Sequence, residues 1–337
     1  MEPTVLETHC EWTAADVADP TTWTRRFSDA EIAELETALA VARARHDDLL
    51  DVTRDDFPLP TLSPVLAGLA HQLVEGRGFV RLAGLPVQRW GVEDSCWVYW
   101  GLGRHLGEPW PQNARGHVLG DVRDQGRSPD DPEARGNEIG GAALGFHTDG
   151  SDLVALLCLD PGVSGGESLV VDAVGAHNAL VRAEPELAAE LYAHLPYDFR
   201  GEQPPDSPGW YRVPVFTAHR GRLFVRYIRP YIEASQRHPD APRLTERQRA
   251  AMDAYDAVLA DPDRRVEMRL EPGDIQIVDN YHVLHGRRSY RDDPATGRVR
   301  HLKRLWLATD ALGPEDRPAR FARPGVMAHW GRVRTRT

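Results

Sequence analysis

The chain has 337 residues, 41% hydrophobic and 27% charged, the proportions of an ordinary folded protein. Its formal net charge of −11 argues against nucleic-acid and anionic-membrane partners, since both need basic surface. Three cysteines without Cys-x-x-Cys spacing exclude a disulfide framework and a zinc ribbon. No apolar run approaches the roughly 18 residues of a membrane span, and the N-terminus lacks the regions of a signal peptide. A reduced, cytoplasmic protein is expected.

The first third reads as helical. Ser28-Asp29-Ala30-Glu31 is a capping box that opens a helix running to about His46, and Ser63-Pro64 places a cap and a first-turn proline ahead of a helix over 65–74. Gly76-Arg77-Gly78 breaks that helix, a strand follows over 79–82, and another helix is expected over 93–105. Residues 108–142, rich in Gly, Pro, Asn and Asp, read as a lid loop.

The centre is strand-like. A continuous apolar run at 153–159 lies between turn signals, and a second strand is expected over 167–171. Helices follow over 176–183 and 185–194, then short strands over 213–216, 222–226, 266–270 and 275–278. Thr245-Glu246-Arg247-Gln248 caps an insertion helix spanning 244–262, and the last strong strand covers 302–307. The expected class is mainly β with α additions, a barrel or sandwich core flanked by helices. It reads as one domain over 1–337, with a helical addition at 1–75, a core at 76–310 and a tail at 311–337.

His147 and Asp149 stand two apart, so on an extended strand they point to one face. An imidazole and a carboxylate aimed at one point are two legs of a metal site. A second histidine would complete the 2-His-1-carboxylate set that leaves open positions on Fe(II) for oxygen chemistry. His-x-Asp alone is frequent, and a hydrogen-bonded pair in a turn is the plainer reading of it. His282 and His285 compete for the third place. Three apart, they face opposite sides of a regular strand, so only one can point at a metal.

The ordered set His147-Thr148-Asp149, Ser164-Gly165-Gly166-Glu167-Ser168, Pro272-Gly273-Asp274, Asn280-x-x-Val283-Leu284-His285-Gly286-Arg287 and Arg300-His301-Leu302-x-Arg304-Leu305-Trp306-Leu307 resembles the Fe(II)- and 2-oxoglutarate-dependent dioxygenases of the taurine dioxygenase type (TauD/TfdA), including the clavaminate synthase-like branch. The resemblance covers roughly 75–310 and implies a double-stranded β-helix, or jelly-roll, with iron between its sheets. It implies His147, Asp149 and His285 as ligands, Arg300 as partner of the distal carboxylate of 2-oxoglutarate, and Ser168 as a second contact where the family usually has threonine. Arg304 matches a position that can face substrate or cosubstrate, and it reads equally well as an ion-pair residue. Gln112 and Asn113, before the lid, read as substrate contacts or loop caps. Of Arg226 and Arg229, at most one is expected to serve the site.

The implied reaction consumes O2 and 2-oxoglutarate, releases succinate and CO2, and oxidises, first of all by hydroxylation, an unactivated C–H bond of a small polar metabolite such as an amino acid or a specialised-metabolite intermediate; desaturation, epoxidation and ring formation fit the same residues. Asp149 supplies the carboxylate that the family's halogenases lack. Arginine suits the dicarboxylate because its fork donates two parallel hydrogen bonds and stays charged.

The alternative class is a catalytically silent jelly-roll that binds a small molecule or protein, against which the complete ligand set and Arg300 argue. Gly162-Val163-Ser164-Gly165-Gly166 fits a hydrolase elbow, but a strand rather than a helix follows it, so Ser164 is set aside as a nucleophile. Gly101 to Gly107 has one residue too many for a dinucleotide fingerprint. Substrate identity and oligomeric state have no signature in the chain.

Overall fold

Local sequence alone sets two of the helix starts. Ser28 and Glu31 exchange side-chain and backbone hydrogen bonds at the head of the helix Asp29–Arg45, and Thr245 and Gln248 do so ahead of Glu246–Ala260. The computed structural model describes residues 3–8, 10–128, 130–318, 321 and 335–336. The helix Leu62–Glu75 starts differently from expectation, because Ser63 lies inside it and does not cap it. Instead the Glu34 carboxylate, on the neighbouring helix, accepts the N–H groups of Thr61 at 2.7 Å and Leu62 at 3.3 Å. Helix-start N–H groups need an acceptor, and here tertiary packing brings one that no local pattern announces. The helix expected over 93–105 extends across Val87–Leu106, with a kink at Gly91, whose φ of 73° is left-handed.

Two sheets face each other. The larger runs in the order Thr24–Arg26, Phe79–Ala83, Ile275–Asp279, Leu153–Asp160, His301–Ala308, His117–Val122, and Thr335–Arg336 adds beyond it. The smaller is antiparallel throughout, in the order Arg265–Met268, Ser168–Asp172, Val283–Arg287, Leu144–His147.

The apolar run at 153–159 lacks alternation because both faces of its strand are covered. Leu153, Ala155 and Leu157 pack outward with Leu66 and Trp100 of the first-third helices. Val154 and Cys158 point inward, into a cluster with Val170, Val283 and Trp306 that fills the space between the sheets. On the far side, Val171 and Leu284 pack against Leu180 and Met252 from Ala173–Ala183 and Glu246–Ala260. The result is the jelly-roll core with flanking helices.

Part of the expected lid is core. His117–Val122 pairs with His301–Ala308, and Val118 and Leu119 are buried. Gly120 and Asp121 hide the strand from a periodicity reading. Asp121 is paired with the Lys303 ammonium at 2.5 Å and contacts His301 Nε2 at 2.6 Å, and Gly120 is fixed by a close approach: a Cβ there would stand 2.6 Å from Gln112 Oε1. The helix expected over 185–194 ends at Glu190, and His194–Asp198 is a strand paired with Trp210–Pro214. Of the tail expected over 311–337, residues 319–320, 322–334 and 337 lie outside the described residues.

Candidate metal centre

His285 and His147 are direct cross-strand partners in the smaller sheet, and their rings lie 4.3 Å apart. Asp149 follows two residues after His147. One ligand atom from each of His147, Asp149 and His285 lies within 4.8 Å of the other two. Strand pairing thus brings a donor from the second half of the chain to the pair visible in the first. His282 faces the other way, with Nε2 3.0 Å from Asp172 Oδ1, so it is a structural residue.

Each donor is oriented by its neighbours. The Nδ1–H of His147 donates to the Gly145 carbonyl at 2.9 Å, which presents Nε2 with a lone pair. Nδ1 of His285 is buried without a partner, while its Nε2 stands 3.7 Å from Asp149 Oδ2. Oδ2 of Asp149 accepts from Trp306 Nε1 at 3.0 Å and Arg304 Nη1 at 3.3 Å. Both bonds fall on the oxygen that also faces His285 Nε2, so they set the rotation of the carboxylate toward the histidines. The Asn280 side chain accepts the Asp149 N–H at 2.7 Å and donates to the Asp149 carbonyl at 2.8 Å. Arg226 Nη1 donates to the carbonyls of Thr148 at 3.0 Å and Asp149 at 2.7 Å.

The protonation states suit cation binding. Burial tends to raise the Asp149 pKa, but opposing influences led by the Arg304 charge, with the Trp306 N–H among them, outweigh it and hold the carboxyl well below the usual range. Burial lowers His147, and it drives His285 down to about 3 with help from His147. Two neutral imidazoles and one carboxylate are the donor set suited to a six-coordinate Fe(II) that keeps open positions.

The trio opens into a cavity of about 590 Å³ whose lining carries, among the described residues, seven arginines against the carboxylates of Asp149, Glu233 and Asp256. This contrasts with the chain's overall charge of −11. Ser168, Arg300 and Arg304 line the cavity, as do Arg135, Asn137 and Ile139 from the stretch expected as a lid. Arg229 lines it too but is held by Glu233, Asp253 and Asp256 at 2.9, 2.6 and 2.7 Å.

Gln112 and Asn113 do not line the cavity. Asn113 Oδ1 accepts the backbone N–H groups of Arg115 and His117, capping the loop. Gln112 accepts from Arg304 Nε at 2.7 Å and donates to the Arg304 carbonyl at 2.8 Å, so it braces the arginine that braces Asp149. Sequence reasoning gave no role to Trp306 or Asn280. Both sit inside quoted motifs, and the two-residue offset from Arg304 places Trp306 on the same strand face.

Arg300 is 4% exposed, and a Cβ at Gly166 would come within 2.9 Å of its Nε. The second glycine of the 164–168 motif therefore leaves the space the Arg300 side chain occupies, while a Cβ at Gly165 would run into the Ser289 backbone. Burial first, and the charge of Arg287 second, push the Arg300 pKa down to about 10.

Residues 45–306 match the family model for taurine catabolism dioxygenase TauD, TfdA family. The chain is 33% identical over 299 residues to FR-33289 synthase of Streptomyces rubellomurinus, covering 88% of each sequence. It resembles the structure of an asparagine oxygenase in complex with Fe(II), 2S,3S-3-hydroxyasparagine and succinate, with a TM-score of 0.65 and 20% identity over 87% of this chain and 98% of that one. It also resembles the non-heme iron oxygenase OrfP in complex with Fe and alpha-ketoglutaric acid, with a TM-score of 0.61 and 18% identity over 89% of this chain and 98% of that one. The chain belongs to the TauD, TfdA family and is a non-haem Fe(II)- and 2-oxoglutarate-dependent dioxygenase.

Proposed function

We propose that His147, Asp149 and His285 hold the iron, that Arg300 and Ser168 hold the distal carboxylate of 2-oxoglutarate, and that the enzyme hydroxylates an unactivated C–H bond of a small metabolite bearing an acid group. An amino acid or a specialised-metabolite intermediate fits this reading. The observation that carries it is the convergence of three metal-competent donors at one end of an arginine-lined cavity. The asparagine and arginine products in the related structures support the amino-acid class, since each carries a carboxylate.

With O2 and the 2-oxo acid, bound iron supplies the oxidising chemistry, and succinate and CO2 leave. The chain's own residues prepare that chemistry. Asn280 and Arg226 fix the backbone on either side of the Asp149 carboxylate, while Trp306 and Arg304 set its rotation. The cavity's excess of guanidinium charge attracts an acid and orients it by bidentate pairing. Residues 1–337 act as one oxygenase domain. The free thiols Cys10, Cys96 and Cys158 suit a reduced cytoplasm, and no helix among the described residues is long and apolar enough to cross a membrane.

The test is anaerobic. Adding Fe(II) and 2-oxoglutarate to metal-free protein produces a weak visible charge-transfer band in the wild type. Asp149→Ala abolishes the band, and Arg300→Ala shifts its appearance to much higher 2-oxoglutarate. A folded, metal-binding wild type without the band overturns the assignment.

A further inference from the structure

Arg287 lies two residues beyond His285 on the same strand, so both side chains face the interior. It is the cross-strand partner of Ser168. Its guanidinium carbon stands 4.7 Å from the centroid of the Tyr290 ring, and that of Arg300 stands 5.2 Å from the same ring. Arg287, Tyr290 and Arg300 are all buried, and both arginines line the cavity.

This group holds three unused donors close to one ring. Arg287 donates from Nη2 to the Ala142 carbonyl at 2.7 Å, but its Nε has no partner. Arg300 Nη1 and the Tyr290 hydroxyl are likewise buried without partners. Neither guanidinium has an ion-pair partner among the described residues, although a buried charge left unpaired is among the costliest features a fold can carry. The missing component is an anion with several acceptor sites. A carboxylate offers two oxygens with about four lone-pair positions, enough for all three donors.

We propose that Arg287 and Tyr290 complete the seat for the distal carboxylate of 2-oxoglutarate, beside Arg300 and Ser168. The inference rests on the reading of Arg300 and Ser168 given above and adds two residues to it. Arg287 shares the charge of that carboxylate with Arg300, and Tyr290, whose ring both guanidinium groups approach, donates its own hydrogen bond.

The experiment compares two ligands on the iron-loaded protein without O2. 2-Oxoglutarate and 2-oxovalerate share the 2-oxo acid head and chain length, but the second ends in a methyl group. Their dissociation constants are read from the charge-transfer absorbance. Arg287→Met weakens 2-oxoglutarate binding by roughly ten- to a hundredfold, and Tyr290→Phe by roughly three- to tenfold. Neither changes 2-oxovalerate binding, because the lost contacts reach only the distal end.

Unchanged 2-oxoglutarate affinity in both variants, with a large loss in Arg300→Met, overturns the role of Arg287 and Tyr290 while the role of Arg300 stands. Equal losses for both ligands also overturn it, since they mark a general disturbance of the barrel. No band from the wild type with either acid removes the underlying reading as well. If Arg287→Met does not fold, Tyr290→Phe decides the question alone.

Discussion

The two ends of the cavity are built on opposite principles. At the end proposed to hold iron, the buried charge of Asp149 meets Arg304, Trp306 and two imidazoles, and Asn280 and Arg226 hold its backbone. At the end proposed to seat the cosubstrate, Arg287 and Arg300 are buried close to one tyrosine ring with donors left over. At the first end the Asp149 carboxylate has its cation, Arg304, in place before anything binds. The second is left for a ligand to satisfy. A resident metal and a consumed cosubstrate call for such different designs: one site must be shaped in advance, the other must pull its ligand in on every turnover.

The sharpest way to break this contrast is to empty one partner at the finished end. Arg304→Met leaves the Asp149 carboxylate short of its cation and Gln112 Oε1 without its donor, so the metal-free protein loses about 3–5 kcal/mol of stability, measured by denaturant unfolding. A loss below about 1 kcal/mol would show that Asp149 does not rely on Arg304 as its cation.

Trp306→Phe keeps an aromatic side chain but removes the pyrrole half of the indole and with it the N–H on Asp149 Oδ2. Iron affinity falls by about ten- to a hundredfold in a metal-competition titration, because outer partners fix the direction of a ligand's lone pairs.

Arg287→Met tests the other end by stability rather than binding. It removes one of two like charges and a single hydrogen bond, so the metal-free protein stays within about 1 kcal/mol of wild type by denaturant unfolding. A loss as large as that of Arg304→Met would erase the distinction between the two ends.

The smallest effect sharpens the contrast between His282 and His285, on opposite sides of one chain segment. Burial tends to lower His282, but Asp172 outweighs it and raises the pKa above 6.5. A raised folded value means that the contribution is fully present below pH 6.5 and is lost as pH climbs through the folded value. In His282→Gln that decline above pH 6.5 disappears from the stability profile. A profile unchanged from wild type would place the titration elsewhere.

The sequence brought the proposed ligand trio into view because its signals are short-range or ordered. Period two aligns His147 with Asp149, and the same rule shows that only one of His282 and His285 can face a metal. Capping boxes announced Asp29–Arg45 and Glu246–Ala260 for the same reason, each closing within four residues. What stayed hidden depends on partners far along the chain. Gln112 looks like a loop residue until Arg304, 192 positions on, is folded against it. His117–Val122 looks irregular because its glycine and aspartate answer to Gln112, Lys303 and His301 rather than to their own neighbours. Unsatisfied donors are invisible in any pattern of letters, so Arg287 and Tyr290 emerge only once every buried polar atom has been paired.

Glu34 joins two helices through one carboxylate, bonding Thr61 and Leu62 from a helix that begins five residues before it. The start of Leu62–Glu75 therefore cannot open while Asp29–Arg45 stays docked without breaking those bonds. Hydrogen exchange at the Thr61 and Leu62 amides would report the undocking of the first helix as well as the fraying of the second. Shortening the chain past residue 34 would uncap a helix lying against the back of the larger sheet. The first helix thus supplies the second with a start that its own sequence does not provide.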